Sequence, residues 1–425
     1  MAVPLQRIIP NEMIVTSSRR PTICLIKTVL GLVASLMSAG VMALEWSAEP
    51  SVSVQEIYND NIRLMTEAHD SVTGTILIPK LQLAVRSEIW DISSSAQIRD
   101  SNYSGIEGLD AKDNIYNLSS SYRTMQSQWQ LSGTSTKESL LTSEPNPDTG
   151  LVGNQTQRET KSGVLSYTYL FTDTTRVSAS YQNTDVIYEQ GLARGLFDYQ
   201  QDQISLTVSE QYTERTQVFV TGGYSKSEVP ANRLTSENTT AKLGIIFSFD
   251  ETTKLTLSGG TRKTSSQGVV KQCILPVGQF CLQYGDIEVN SVDRGSVYDT
   301  ALEKQFEAGN LRLGYNRDVS TSGSGVQVET NALSLALQRS LNVRNSLFFN
   351  TSAYRIQSLE TALSNTDRRY YQAEPGWRWR CAETCSMELS YRYSYLKYLN
   401  TSASAKSNAL TLSLSYAWPK LYISR

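Results

Sequence analysis

The sequence predicts an all-β fold: a single transmembrane antiparallel up-and-down β-barrel of about eighteen strands, or about sixteen if the first hairpin stays out of the wall. Three observations predict it. The stretch 408–418 alternates strictly, with Leu410, Leu412, Leu414, Tyr416 and Trp418 on one face and Thr411, Ser413, Ser415 and Ala417 on the other. That period of two recurs along the whole chain. The connections between alternating stretches are short and long by turns, as periplasmic turns and outer loops are. A final strand that is apolar outward and ends in aromatics before Pro419 is how such a barrel closes.

Composition agrees. Charged residues are 19% of the 425, the net charge is −2, and there are 23 Tyr against 9 Phe. Low charge and abundant Tyr suit a barrel with interfacial aromatics and a wet lumen. Nothing in the charge balance points to nucleic acid. Residues 1–43 read as a signal peptide, and 44–425 as the barrel. Arg19, Arg20 and Lys27 supply the positive region, 28–42 is apolar, and Val41-Met42-Ala43 fits small-x-small cleavage before Leu44. The positive region is long, which makes Met13 an alternative start. The expected address is the outer membrane of a Gram-negative bacterium. The expected partners are outer-membrane lipid and the barrel-assembly machinery.

Taken in order, Trp46 to Tyr58 leads into the first strand, expected near Ser51 to Tyr58. Val54-Gln55-Glu56-Ile57-Tyr58-Asn59-Asp60-Asn61-Ile62 follows, then Asp70, Val72, Thr73 and Ile78-Pro79. This run resembles the opening of an outer-membrane β-barrel family, porin-like, that accompanies exopolysaccharide and PEP-CTERM (exosortase) systems. The resemblance covers about thirty residues, with Tyr58, Asn59, Asp60, Asn61, Ile62 and Pro79 as its core. It implies a barrel associated with exopolysaccharide export or with that sorting system, and polysaccharide or export proteins as partners. The family often has Pro-Gly where this chain has Pro79-Lys80.

Alternation continues in Leu81, Leu83, Val85; Trp90, Ile92, Ala96, Ile98; Tyr116, Leu118, Tyr122; and Trp129, Leu131, Gly133. It returns in Leu165 to Phe171, Val177 to Tyr181, Ile204 to Val208, Val218 to Tyr224, Leu243 to Phe249 and Leu255 to Leu257. The last strands carry Leu311 to Tyr315, Leu333 to Leu337, Trp377 with Trp379, and Met387 to Tyr395. Short turns fall near 171–174, 212–215, 250–252, 308–309, 341–343 and 381–385. Long polar loops fall at 140–158, 188–197 and 266–294.

Catalytic material is sparse. The one His, His69, lies in the first long loop with no hydrolase motif around it, so no catalytic residue is assigned and no enzyme is expected. The glycines at 150–153 and 323–325 precede no helix, which excludes a phosphate cradle. Cys273 and Cys281, and Cys381 and Cys385, form two close pairs suited to disulfides in an oxidising compartment. With no His near either pair, no metal and no cofactor is expected.

The polar phase of the strands carries Lys80, Arg86, Arg99, Arg123, Lys242, Arg312, Arg378, Arg380 and Arg392, against Asp91, Glu374 and Glu388. A basic lumen wall favours anions through its local potential. The alternative is that these charges pair across the pore and merely keep it wet. The function expected from the residues is a wet passage for a polar or anionic solute. The alternatives are a diffusion porin unrelated to export, a barrel enzyme acting on lipid or glycan, and a plugged structural barrel.

Overall fold

A computed structural model describes residues 44–66, 70–140, 156–277, 280–359, 367–399 and 403–424, apart from the side chains of 232, most of 270–289, and 423–424. The strands are β1 (Glu45–Asn59), β2 (Val72–Arg86), β3 (Trp90–Ser104), β4 (Ala111–Arg123), β5 (Ser127–Ser139), β6 (Gln157–Leu170), β7 (Thr175–Tyr188), β8 (Tyr199–Thr213), β9 (Thr216–Val229) and β10 (Leu234–Ser248). They continue as β11 (Thr253–Val277), β12 (Phe280–Phe306), β13 (Gly309–Thr321), β14 (Gln327–Ser340), β15 (Asn345–Ser358), β16 (Arg368–Arg380), β17 (Cys385–Tyr398), β18 (Ser404–Ala417) and β19 (Leu421–Ser424).

From β1 to β18 each strand pairs antiparallel with its neighbours in sequence, and β1 pairs with β2 on one side and with β18 and β19 on the other. The sheet is therefore a closed barrel. β18 and β19 occupy one position in the wall, so the 19 segments make eighteen strands. The last strand does not stop at Pro419. That residue cannot donate to the ladder, so the chain breaks for three residues, and Leu421–Ser424 then resumes pairing with Glu45–Ala48. The first hairpin lies in the wall, which excludes sixteen strands.

Solvent-accessible apolar side chains mark the outward face. Leu412 is 45% exposed and Leu414 53%, whereas Ser413 between them is 8% exposed. Aromatic pairs sit on the outward face near the short turns: Trp90–Tyr122, Trp129–Tyr167 and Tyr416–Trp418, with ring centroids at 4.6, 4.4 and 5.1 Å. An apolar band with an aromatic girdle, on a closed barrel, is a membrane-spanning surface. The protein is an outer-membrane β-barrel of the Gram-negative type. Its short-turn end, where β1 starts and β19 ends, is the periplasmic end by that architecture.

The loop end departs from the expectation at two places. The stretch 266–294 is not a loop: β11 and β12 run on as a hairpin to Val277 and Phe280, far beyond the wall. The connection between β9 and β10 is a single 3-10 turn, Pro230–Asn232. Alternation of loop lengths is thus real but not strict. The ladder sets Cys273 opposite Tyr284 and Cys281 opposite Pro276. Their side chains, and the expected bridge, lie outside the described residues. So do residues 1–43, with the expected signal peptide, and His69.

The seam between first and last strand is held by the motif residues. Asp60 accepts from the Asn408 N–H (2.7 Å) and from Asn408 Nδ2 (2.6 Å). Asn59 Oδ1 accepts from the Asn61 N–H (2.8 Å) and from Ser407 Oγ (2.9 Å). Asn61, 1% exposed, donates to the carbonyls of Lys406 (2.9 Å) and Met65 (3.0 Å) and accepts from the Met65 N–H (2.9 Å). A compact amide with two donors and two lone pairs suits this crossing point. Tyr58 faces outward, and Ile62 packs on an apolar cluster within. Pro79 does not break β2. The strand runs through it, fully paired with β1, and loses only the two rungs to β3 beside the proline.

Two outcomes check this assignment. Leu414→Arg should cost about 2–4 kcal/mol in a lipid-refolded barrel, whereas Ser413→Arg, one residue away but facing the lumen, should assemble normally. Asn61→Ala should cost about 2–3 kcal/mol in urea unfolding, because it orphans buried backbone groups on both sides of the seam.

Candidate functional site

The lumen has two unlike halves. Near the short turns it is polar. Ser53 on β1 bridges Ser413 (3.0 Å) and Ser415 (2.9 Å) on β18. Asn117 links Thr134 (3.1 Å) and Ser95 (3.4 Å) across β3 to β5. These hydroxyls and amides arise from the small, polar phase of each strand, which alternation turns inward. Between β14 and β3 the wall encloses a vestibule of about 630 Å³, whose rim includes the turn residues Asn342, Arg344, Glu383 and Thr384. The turn carrying Glu383 and Thr384 is closed by the Cys381–Cys385 disulfide, with Cα atoms 5.4 Å apart.

The half near the long loops is filled. One apolar cluster joins Val72, Val328, Tyr354, Ile356, Tyr370, Leu396 and Ala405 on the inward faces of β2 and β14 to β18, together with Leu64, Leu109 and Val326 from the loops. Tyr354 stacks on Tyr370 at 4.8 Å. A second cluster joins Leu140, Val186, Tyr188, Leu196, Tyr199, Val229 and Leu234 on the β5 to β10 side.

Between the two clusters lies the tip of the β13–β14 hairpin. The wall opens here: β12 pairs with β13 only as far as Tyr298 and Arg317, then continues with β11 alone. Freed on that side, the tip folds inward, and both of its faces are buried. Val326 and Val328 join the first cluster. On the other side the Phe197 N–H donates to Gly323 O (2.8 Å), and Gln327 donates to Ser227 Oγ (2.9 Å). At Gly325 φ is +79°, a left-handed conformation that favours glycine, and an added Cβ would lie 3.2 Å from Val229.

Charge fixes the tip. Glu329 is 6% exposed. It accepts from Arg262 Nη2 (2.8 Å) on β11 and is paired with Arg317 Nη2 (2.8 Å) on β13. Arg262 also holds Asp293 (2.6 Å) on β12. A buried carboxylate between two guanidiniums is stable only while both partners stay, because either charge alone would be costly to desolvate.

Arg378, Arg380 and Arg392 do lie on the inward face of neighbouring strands, and Trp377 and Trp379 on the outward one. They do not form a free patch. Arg378 is paired with Glu388 (2.7 Å) and Arg392 with Glu374 (2.9 Å). Arg312 pairs with Glu303 (3.4 Å) and Arg86 with Asp91 (3.5 Å). Antiparallel register brings each pair side by side, an arrangement that strand phase alone does not reveal. Arg99, Arg123 and Lys242 share the inward phase on β3, β4 and β10. Arg380 and Lys80 line the vestibule without an ion pair among the described residues.

Sequence reading missed Arg344, a turn residue at the vestibule rim, and Arg262, Arg317 and Glu329. It left open, as the plugged alternative, whether the lumen is filled, and did not place the filling at the long-loop end. The trace was present: near each long loop the inward phase turns apolar, as in Val72 and Ile76, Val186 and Tyr188, or Tyr354 and Ile356.

No protein-family model matches the sequence, and no curated protein matches it. Solved structures with a similar fold include OccAB3 of Acinetobacter baumannii, at 8% identity and TM-score 0.42, covering 88% of this chain and 99% of that one. OccK9 (OpdG) of Pseudomonas aeruginosa is 14% identical with TM-score 0.43, covering 87% and 98%. The siderophore receptor PirA of Pseudomonas aeruginosa is 9% identical with TM-score 0.43, covering 88% and 80%. These are likenesses of barrel architecture.

The buried cluster makes a contrast that urea unfolding can read. Glu329→Ala should cost about 3 kcal/mol, since it leaves Arg317 and part of Arg262 unpaired inside. Asp293→Asn should cost less than about 1 kcal/mol, because that carboxylate is 40% exposed.

Proposed function

We infer that the barrel is an outer-membrane channel for polar solutes, and that the form described is its shut form. The observation that carries this reading is the stacking of a wet vestibule beneath an inward-folded hairpin tip that ions hold in place. A barrel with a purely structural role needs no polar, solvent-filled half. The sequence resemblance in 54–79 supports association with exopolysaccharide export or PEP-CTERM sorting, with polysaccharide or export proteins as partners. The protein acts as a conduit rather than as an enzyme in this reading. A second reading is a permanently plugged barrel whose loops bind surface glycans, and the two apolar clusters favour it.

Planar-bilayer recording separates the two. The refolded barrel should show rare openings, more frequent in the Glu329→Ala variant, and current should fall when an acidic oligosaccharide is added. Absence of current from both proteins at every voltage would leave the plugged barrel.

A further inference from the structure

We propose that the vestibule is a binding site for an acidic oligosaccharide, entered from the short-turn end. The proposal deepens the channel reading and rests on it for its physiological sense, though not for its test. The cavity, about 630 Å³, falls within the range of small-molecule sites, roughly 300–1,000 Å³. Its lining holds Lys80, Arg344, Arg378 and Arg380 against Glu383 and Glu388. Arg378 is neutralised by Glu388 at 2.7 Å. Lys80, Arg344 and Arg380 have no ion pair among the described residues, so the site carries surplus positive charge.

The placement of these cations selects the ligand. Arg344 and Arg380 are adjacent, with the Arg380 N–H donating to Arg344 O at 2.7 Å. Lys80 lies on β2, and β17, β18 and β1 separate it from β16. Four interstrand steps amount to about 19 Å along the wall. A single small anion cannot touch both ends. A chain with spaced carboxylates can: the guanidiniums of Arg344 and Arg380 suit one carboxylate bidentately, and Lys80 meets another as a point charge. Between the two ends the wall offers Gln55, Gln97 and Gln338 and a run of serines. Amides and hydroxyls both donate and accept, as sugar hydroxyls require.

The test is calorimetric titration of the full detergent-refolded barrel with the trimer of galacturonic acid, with maltotriose as neutral trimer and with inorganic phosphate. The acidic trimer should bind at least about tenfold more tightly than either other probe. The Lys80→Gln, Arg344→Gln, Arg380→Gln triple variant should lose that binding about tenfold or more, and each single variant about threefold. Arg176→Gln, which removes one charge as each single variant does but elsewhere on the inward face, should bind as the parent does. The single variants keep the test open if the triple variant fails to fold. Binding by the triple variant within about twofold of the parent would overturn the proposal. Equal affinity for phosphate would overturn the choice of an extended sugar. Binding without conductance would sink the channel reading alone, and conductance without binding would sink this proposal alone.

Discussion

Everything in this structure depends on one constraint: in hydrocarbon no backbone N–H or C=O can go unpaired. An open sheet would leave two edges bare, so β1 must meet the last strand. The seam is where that obligation is hardest to meet, because its partners come from opposite ends of the barrel sequence, 348 residues apart for Asp60 and Asn408. The asparagine-aspartate run at 59–61 meets it with side chains that replace missing backbone partners at the rim. Pro419 interrupts the last strand at its edge, where the chain can slip past and rejoin. Closure also explains the interior. Once the wall is sealed, every second residue is committed to a lumen whose contents the sequence must supply.

What fills that lumen differs between its ends, and the difference is energetic. In the short-turn half, serines and amides hydrogen-bond across strands and leave space. In the long-loop half, the inward phase is apolar and is buried under loops. Returning Val326 and Val328 to water would cost about 3–6 kcal/mol, before the Arg262–Glu329–Arg317 cluster is broken. Those magnitudes hold the tip of the β13–β14 hairpin inward, so moving it out of the lumen needs work from outside the fold. The hairpin tip can fold inward because β12 leaves β13 to continue with β11. The long β11–β12 hairpin and the buried tip are therefore two results of one split in the wall.

Charges follow the same logic. Inward arginines such as Arg378 and Arg392 have carboxylates on the adjacent strand, so they stiffen the wall and add little net field. Exposed pairs of this kind contribute only about 0–1 kcal/mol. Arg380, at a strand end, Arg344, in a turn, and Lys80, beside a proline, have no ion pair among the described residues. Their position at the vestibule, rather than their number, gives that region its positive potential.

The sequence by itself determined the barrel: the period of two sets which side chains meet lipid, and the short turns set the direction of each strand. Leu412 and Leu414 outward with Ser413 inward follows from local pattern, since strand geometry is local, whereas the choice of eighteen strands over sixteen needed the pairing of the first hairpin into the wall. Only the tertiary structure decided what the lumen contains. Whether Arg378 meets Glu388 depends on register between strands. Whether Gln327 and Glu329 face lipid or protein depends on where the wall splits. By phase they belong with Leu333 and Leu335 on the outside, yet an inward bend buries them against β9 and β11. A period of two specifies sides of a strand, but the side that is buried is fixed by what the rest of the chain brings against it.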